Sequence, residues 1–229
     1  RPVTVVFLPS SANPMVWGHP WVLMLSAELL KADVAVLRVQ GFIDYKKVKP
    51  EDLVSSEDRH MLGRRSVNEL LWPAVKYTNL GSEAGSKIEG FEEMFNLLKM
   101  NRGRKLRMVY LLSTENEERI LKYLNQQYVM FKQYGHLMDA KRHEIAVGWI
   151  QRGEYGANLT VEELQRLHDQ VRANLEETGV LHSDDPMLHM ELLKHPDIDL
   201  KISSTLQRTL FQQGNAAARA LSPSFFYNY

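Results

Sequence analysis

Pro2-Val3-Thr4-Val5-Val6-Phe7-Leu8-Pro9-Ser10-Ser11-Ala12-Asn13-Pro14-Met15-Val16-Trp17-Gly18-His19-Pro20, running on to Leu30, decides how this chain is read. Val3 to Leu8 is an apolar run of strand length, rich in β-branched residues, which suits a strand buried on both faces. Pro9 to His19 reads as a turn, and Pro20 to Leu30 as a helix. Proline fits the first turn of a helix because no backbone donor is needed there. A turn between a buried strand and a helix N-terminus is where open α/β sheets bind ligands. The helix dipole and its first N–H groups favour anions at that place, phosphate above all.

Working outward, Val34 to Val39 reads as a second strand. Strand, helix, strand in so short a space is a βαβ unit, so the two strands are expected to be parallel. Gln40 to Val54 is loop-like and carries Lys46, Lys47 and Lys49. Ser55-x-x-Asp58 resembles a capping box and opens a helix through Leu71 that includes Arg59, His60, Arg64 and Arg65. Trp72-Pro73 ends it, because proline cannot continue a helix. A short strand is expected at Val75–Thr78, a polar link at Gly81–Ser86, and a helix at Lys87–Met100 with Ile88, Phe91, Phe95 and Leu98 at helical spacing.

The second half repeats the pattern. Leu106–Leu112 and His143–Ile150 read as strands. Thr114-x-x-Glu117 and Thr160-x-x-Glu163 read as caps of helices reaching Tyr134 and about Glu177. His182-Ser183-Asp184-Asp185 with His189 is a polar stretch ahead of an expected short helix, and it fits no familiar metal spacing. A last helix is expected from Ser203 to about Gln213, and the aromatic tail Ser222–Tyr229 is expected to pack on the domain or on another subunit. Alternating strands and helices argue for one Rossmann-like, doubly wound α/β domain over residues 1–229, its parallel sheet covered by helices on both faces.

Composition narrows the classes. A chain of 229 residues, 44% hydrophobic and 24% charged, has the profile of an ordinary soluble globular protein. Lys+Arg and Asp+Glu are both 28, so no broad basic face for nucleic acid is expected, while a local phosphate site remains open. With no cysteine there is no disulfide, thiol nucleophile or thiolate metal site. No apolar run is long enough to span a membrane, and Arg1-Pro2 leads straight into a strand without a signal-peptide pattern. Arg1 in place of an initiator Met suggests that residues before it were cleaved or are not included in this sequence.

Two separated stretches carry a resemblance. Asn13-Pro14-Met15-Val16-Trp17-Gly18-His19 is similar to the Asn-Pro-x-[His/Thr]-x-Gly-His signature of the nucleotidylyltransferase superfamily, and Lys201-Ile202-Ser203-Ser204-Thr205-Leu206-Gln207-Arg208 resembles its second signature, Ile-Ser-Ser-Thr-x-x-Arg. The nearest branch resembles the nicotinate or nicotinamide mononucleotide adenylyltransferases. The resemblance implies a Rossmann-like fold and a cytoplasmic enzyme of NAD biosynthesis, a possible homo-oligomer. It would transfer the adenylyl group of ATP, with Mg²⁺, to a mononucleotide. By resemblance His19 acts at the α-phosphate, Gly18 lets the backbone come close, and Asn13 orders the turn or touches phosphate. Ser203, Ser204, Thr205 and Arg208 hold the β- and γ-phosphates, and Ser10 joins the phosphate contacts. Related enzymes also carry a lysine-bearing loop, matched here by Lys46, before a helix whose Arg-x-x-Met-Leu pattern Asp58-Arg59-His60-Met61-Leu62 follows loosely. Relatives often have an Arg-x-Gly turn after the equivalent strand, and in Gln151-Arg152-Gly153 here Arg152 is by resemblance a candidate for a substrate or phosphate contact.

Each of these has a plainer reading beside it. Lys46 also reads as part of a solvated loop, Arg152 as a surface turn arginine, and Ser203 as a helix cap. A helix start can do both, since its hydroxyls and N–H groups suit a phosphate, and Arg208 lies on the same end. A guanidinium grips phosphate with paired hydrogen bonds.

Three departures from the family pattern matter. Val16 stands where the family has His or Thr, Ser10 and Ala12 stand where it has a glycine and an aromatic, and Ser113-Thr114-Glu115 stands where a Gly-x-Asp often faces the nucleotide. Valine cannot donate a hydrogen bond. Losing one charge-assisted donor in a dry transition-state site costs roughly 3 kcal/mol, about a hundredfold in rate. Three readings therefore stay open: a nicotinamide-type adenylyltransferase, a nucleotide-binding sensor or scaffold without turnover, and a sister enzyme using another phosphate acceptor such as phosphopantetheine or glycerol phosphate.

Overall fold

The apolar run at the start of the chain forms β1 (Val3–Ser10), two residues longer than the sequence suggests. It is followed by α1 (Gly18–Leu29), β2 (Val34–Val39), α2 (Ser56–Glu69) and β3 (Val75–Thr78). The second half supplies β4 (Leu106–Ser113), α3 (Glu117–Tyr134), β5 (Glu144–Ile150), α4 (Val161–Glu177), β6 (His189–Leu193), α5 (Ser204–Gln212) and the four-residue α6 (Ala217–Ala220). This computed structural model describes residues 1–41, 49–50, 53–78, 100, 103–134, 143–151, 158–185, 188–198 and 202–221. The helix expected at Lys87–Met100, apart from Met100, the polar link at Gly81–Ser86 and the aromatic tail at Ser222–Tyr229 lie outside those residues.

The strand order is β3-β2-β1-β4-β5-β6, and the registered pairs of β1, β2 and β3 and of β4, β5 and β6 are parallel. The fold is thus the doubly wound, Rossmann-like α/β class expected from the alternating pattern. By packing, the chain forms two compact units: Arg1–Thr4 with Phe91–Ile198, and Val5–Gly90 with Asp199–Tyr229.

In the unit built on Val5–Gly90, Phe7, Leu23 and Leu37 have no exposed surface, and α2 packs on β2 and β3. The approach is close at Gly63, where an added Cβ would lie 2.6 Å from Val39 Cγ2 and 2.9 Å from the Tyr77 ring. The N-terminus of α2 is fixed as the sequence suggests, with Ser55 Oγ accepting the Asp58 N–H at 3.1 Å.

In the other unit, Met108, Val109, Ala146, Val147, Trp149, Leu164 and Leu167 form the core. Trp149 Nε1–H donates to His168 Nε2 at 3.2 Å, and burial pulls the His168 pKa down to about 4. The Thr160–Glu163 capping box is complete, each side chain taking the other's backbone N–H. Arg107 and Lys105 pair with Glu144, and Arg107 also pairs with Glu191, so these cations serve neighbouring strands. The Lys105 hydrogen bond holds the Glu144 carboxyl below the usual carboxylate range.

Two local expectations are corrected. Thr114 does not cap α3: it is fully buried, its N–H and Oγ1 both donate to Ile150 O, and Asn116 Oδ1 instead accepts the Arg119 N–H. The short helix expected after His182–Asp185 is the strand β6, paired with β5 from Ala146↔His189 to Ile150↔Leu193. Asp185 is occupied by Lys132 Nζ, at 2.7 and 3.0 Å, and by the His182 N–H. Among the described residues no helix is long and apolar enough to cross a membrane.

Candidate functional site

The turn Ser11–Trp17 leaves the carboxyl end of β1 and is closed by local bonds. Ser10 is 8% exposed, and its Oγ accepts the Ala12 N–H at 3.1 Å, so this predicted phosphate contact already serves the turn. Ala12 sits at φ 45°, in the left-handed region, with no exposed surface. A small residue tolerates that backbone at modest strain. The Asn13-Pro14 bond is cis.

Asn13 is 1% exposed, and its side chain faces inward: Oδ1 accepts the Val54 N–H at 2.8 Å. Asn13 thereby ties the turn to the backbone ahead of α2.

α1 starts earlier than the sequence suggests, so Gly18 and His19 lie in its first turn. The N–H of His19 goes to Val16 O at 3.0 Å, and Pro20 has none, so the anion-binding capacity of this helix start is smaller than a generic one. The His19 ring is oriented by its own turn. Val16 N–H donates to Nδ1 at 3.1 Å, a direction open to the neutral ring that carries its proton on Nε2. Val16 O, also 3.2 Å from Nδ1, is then a contact without a shared proton in that form. Val16 itself is 1% exposed, so the position where the family has a donor is filled here by a buried apolar side chain.

The second stretch comes to the first. A Cβ added at Gly18 would lie 2.7 Å from Ile202 O, so the glycine lets the start of α1 press against the backbone entering α5. Ser203 is the N-cap of α5, its Oγ accepting the Leu206 N–H at 3.0 Å. Ser204 Oγ donates to Pro14 O at 2.7 Å. Arg208 donates through one terminal nitrogen to Asn13 O and through the other to Thr205 Oγ1 at 3.1 Å. His19, Gly18, Asn13, Ser10, Ser203, Ser204, Thr205 and Arg208 thus belong to one compact unit, drawn together from sequence positions almost two hundred apart. Lys46 and Arg152 lie outside the described residues.

Sequence reasoning gave no role to Arg59, which the structure places in the same assembly. Arg59 is 2% exposed and spends its guanidinium on backbone carbonyls: Nε on Val54 O at 3.0 Å, one terminal nitrogen on Ser11 O at 3.0 Å and on Gln40 O, the other on Gly41 O at 2.5 Å. The signal was present in the spacing. Arg59, Leu62, Gly63, Ser66 and Val67 form one buried stripe along α2, so an arginine occupies a core position of an otherwise apolar or small face. Next to it, His60 Nδ1 lies 2.5 Å from Tyr77 OH, and the Arg64 guanidinium stands 5.8 Å over the Tyr77 ring. Burial, then Arg59, Arg38 and Arg64, lower the His60 pKa, and burial pushes the Tyr77 hydroxyl up to about 12.

The arrangement offers an imidazole donor, a guanidinium and three hydroxyls around a strand-to-helix turn, the donor types that bind and neutralise a phosphate chain. No family model matches the sequence, and no curated protein matches it by sequence. The fold does have solved counterparts. The nicotinic acid mononucleotide adenylyltransferase of Plasmodium falciparum, complexed with APC, superposes with a TM-score of 0.56 over 93% of this chain and 85% of that one, at 13% identity. The same enzyme complexed with NaAD gives 0.57 over 93% and 86%, also at 13% identity. The likeness drawn from two motifs is thus met by a likeness in fold.

Proposed function

We propose that this chain is a nucleotidylyltransferase that moves the adenylyl group of ATP to nicotinate or nicotinamide mononucleotide and releases pyrophosphate. The observation that carries the reading is the contact between the two motif stretches: Arg208 and Ser204 bonded to the carbonyls of Asn13 and Pro14, on the turn that orients His19. A turnover site for a triphosphate needs donors at both ends of the phosphate chain, and these stretches supply them.

In this reaction a phosphate oxygen of the mononucleotide attacks the α-phosphorus of ATP in line. A new P–O bond forms as the bond to the β-phosphate bridging oxygen breaks, and pyrophosphate leaves with the electron pair. No covalent enzyme intermediate is needed, so positioning and charge neutralisation supply the rate. His19 Nε2–H donates to an α-phosphate oxygen as charge builds there. Arg208 exchanges its bond to Asn13 O for the β- and γ-phosphates, with Ser203, Ser204 and Thr205 alongside. The described site residues offer hydroxyls, an amide, an imidazole and a guanidinium, donors to phosphate, and Mg²⁺ would be carried in on the nucleotide with its waters. The Plasmodium enzyme of like fold was solved with APC and with NaAD, which supports nucleotide and mononucleotide partners for this one.

Val16 favours a second reading. With no donor at that position and the side chain buried, the same site would bind nucleotide with little or no turnover. Pyrophosphate release separates the two. The protein is incubated with Mg²⁺, with ATP or CTP, and with nicotinate mononucleotide, nicotinamide mononucleotide, phosphopantetheine or glycerol phosphate in turn. Release with ATP that depends on a nicotinate or nicotinamide mononucleotide supports the proposal. Dependence on another acceptor assigns a sister enzyme, and nucleotide binding without release assigns a sensor or scaffold.

A further inference from the structure

We propose that Arg59 is the positioning residue of the phosphate turn, setting the placement of Asn13 and His19 without touching substrate; the inference rests on the adenylyl-transfer reading of that turn. A buried guanidinium is costly unless its donors are met. Arg59 meets them with four carbonyls from three places in the chain: Ser11 in the turn, Gln40 and Gly41 beyond β2, and Val54 at the entry of α2. Only a planar group with five donors can hold such a set at once.

The base of this clamp is firm. α2 is capped at Ser55 and pressed through Gly63 onto Val39 and Tyr77. From there the connection to the site is continuous. The Val54 backbone is held at both its polar groups, its carbonyl by Arg59 and its N–H by Asn13 Oδ1 at 2.8 Å. Asn13 O in turn receives Arg208, and Pro14 O receives Ser204 at 2.7 Å. Ser11 O is gripped directly, two residues before Asn13. Releasing Arg59 therefore frees the turn at Ser11 and at Val54 together, while leaving every donor aimed at phosphate chemically intact.

Lysine at 59 keeps the charge but is a point donor on a flexible stem, so it holds part of this set at best. A misplacement of about 1 Å in a reacting assembly costs about a hundredfold in rate. Arg59→Lys is expected to lower kcat for pyrophosphate release about a hundredfold while the Kd for ATP changes by less than about threefold. Arg59→Gly is expected to lose turnover and regain part of it on adding guanidinium at millimolar concentration. A folded Arg59→Lys with the kcat of the parent, or a folded Arg59→Gly that guanidinium does not revive, overturns the proposal.

A readout independent of turnover keeps it testable if Arg59→Gly does not fold, or if the parent protein releases no pyrophosphate and the reading of the site fails first. With 5-fluorotryptophan incorporated, the ¹⁹F resonance of Trp17, in the turn, is expected to shift in Arg59→Lys while that of Trp149, in the β5 core, stays in place. An unmoved Trp17 resonance in a folded variant overturns the inference whatever the activity.

Discussion

The Cα of Gly18 faces the carbonyl of Ile202 so closely that a methyl group there would lie 2.7 Å from the oxygen. One glycine of the first motif is thus required by the backbone of the second, at a point where the family resemblance assigns glycine to the approach of phosphate. Gly18→Ala would ordinarily help a helix by up to about 1 kcal/mol. Here the opposite sign is expected, a loss of about 1–3 kcal/mol from forced backbone displacement, read as a lower urea midpoint at unchanged slope.

Val16 sets a second test. Its side chain is 1% exposed and its N–H is committed to His19. Restoring the family's hydroxyl by Val16→Thr buries a polar group among apolar neighbours, at a cost of about 1–3 kcal/mol. The expected result is a less stable protein with no gain in pyrophosphate release. A gain in rate would mean that the position faces the nucleotide.

His168 makes stability depend on pH. Its folded pKa is drawn down to about 4 by burial, against 6.5 in the unfolded chain. The unfolded chain therefore takes up a proton that the folded one refuses, and stability present above pH 6.5 is lost as pH falls toward 4. Between pH 7 and pH 5, above most of the carboxylate range, the loss from this group is about 2 kcal/mol. Urea unfolding at the two pH values measures it. His168→Gln, which keeps an acceptor for Trp149 Nε1–H, is expected to flatten that slope.

The strands with β-branched or apolar runs, β1, β2, β4 and β5, were legible because burial on both faces leaves a continuous apolar signature. β6 was not: His189-Met190-Glu191-Leu192-Leu193 is five residues at the end of the strand order, with His189 exposed and Glu191 paired to Arg107, so its signature is mixed. The α3 cap was misread because Thr114 and Asn116 are both competent caps, and only burial of Thr114 against Ile150 O decides between them.

At the site, the motifs named the residues but not what each one bonds. Ser10 and Asn13 turned inward to hold the turn, and Arg59, seen in sequence only as part of a loosely matched pattern, has a role that shows once its neighbours at 62, 63, 66 and 67 are known to be buried. Pairing across 190 positions, as between Ser204 and Pro14, has no local trace in sequence at all.

The most direct test of the central claim is to measure kcat for pyrophosphate release and the Kd for ATP in the parent protein and in His19→Ala. If Nε2–H of His19 stabilises the charge that builds on the α-phosphate, kcat falls by about a hundredfold to a thousandfold while ATP binding weakens only slightly. Equal loss of both, or loss of neither, would contradict the account.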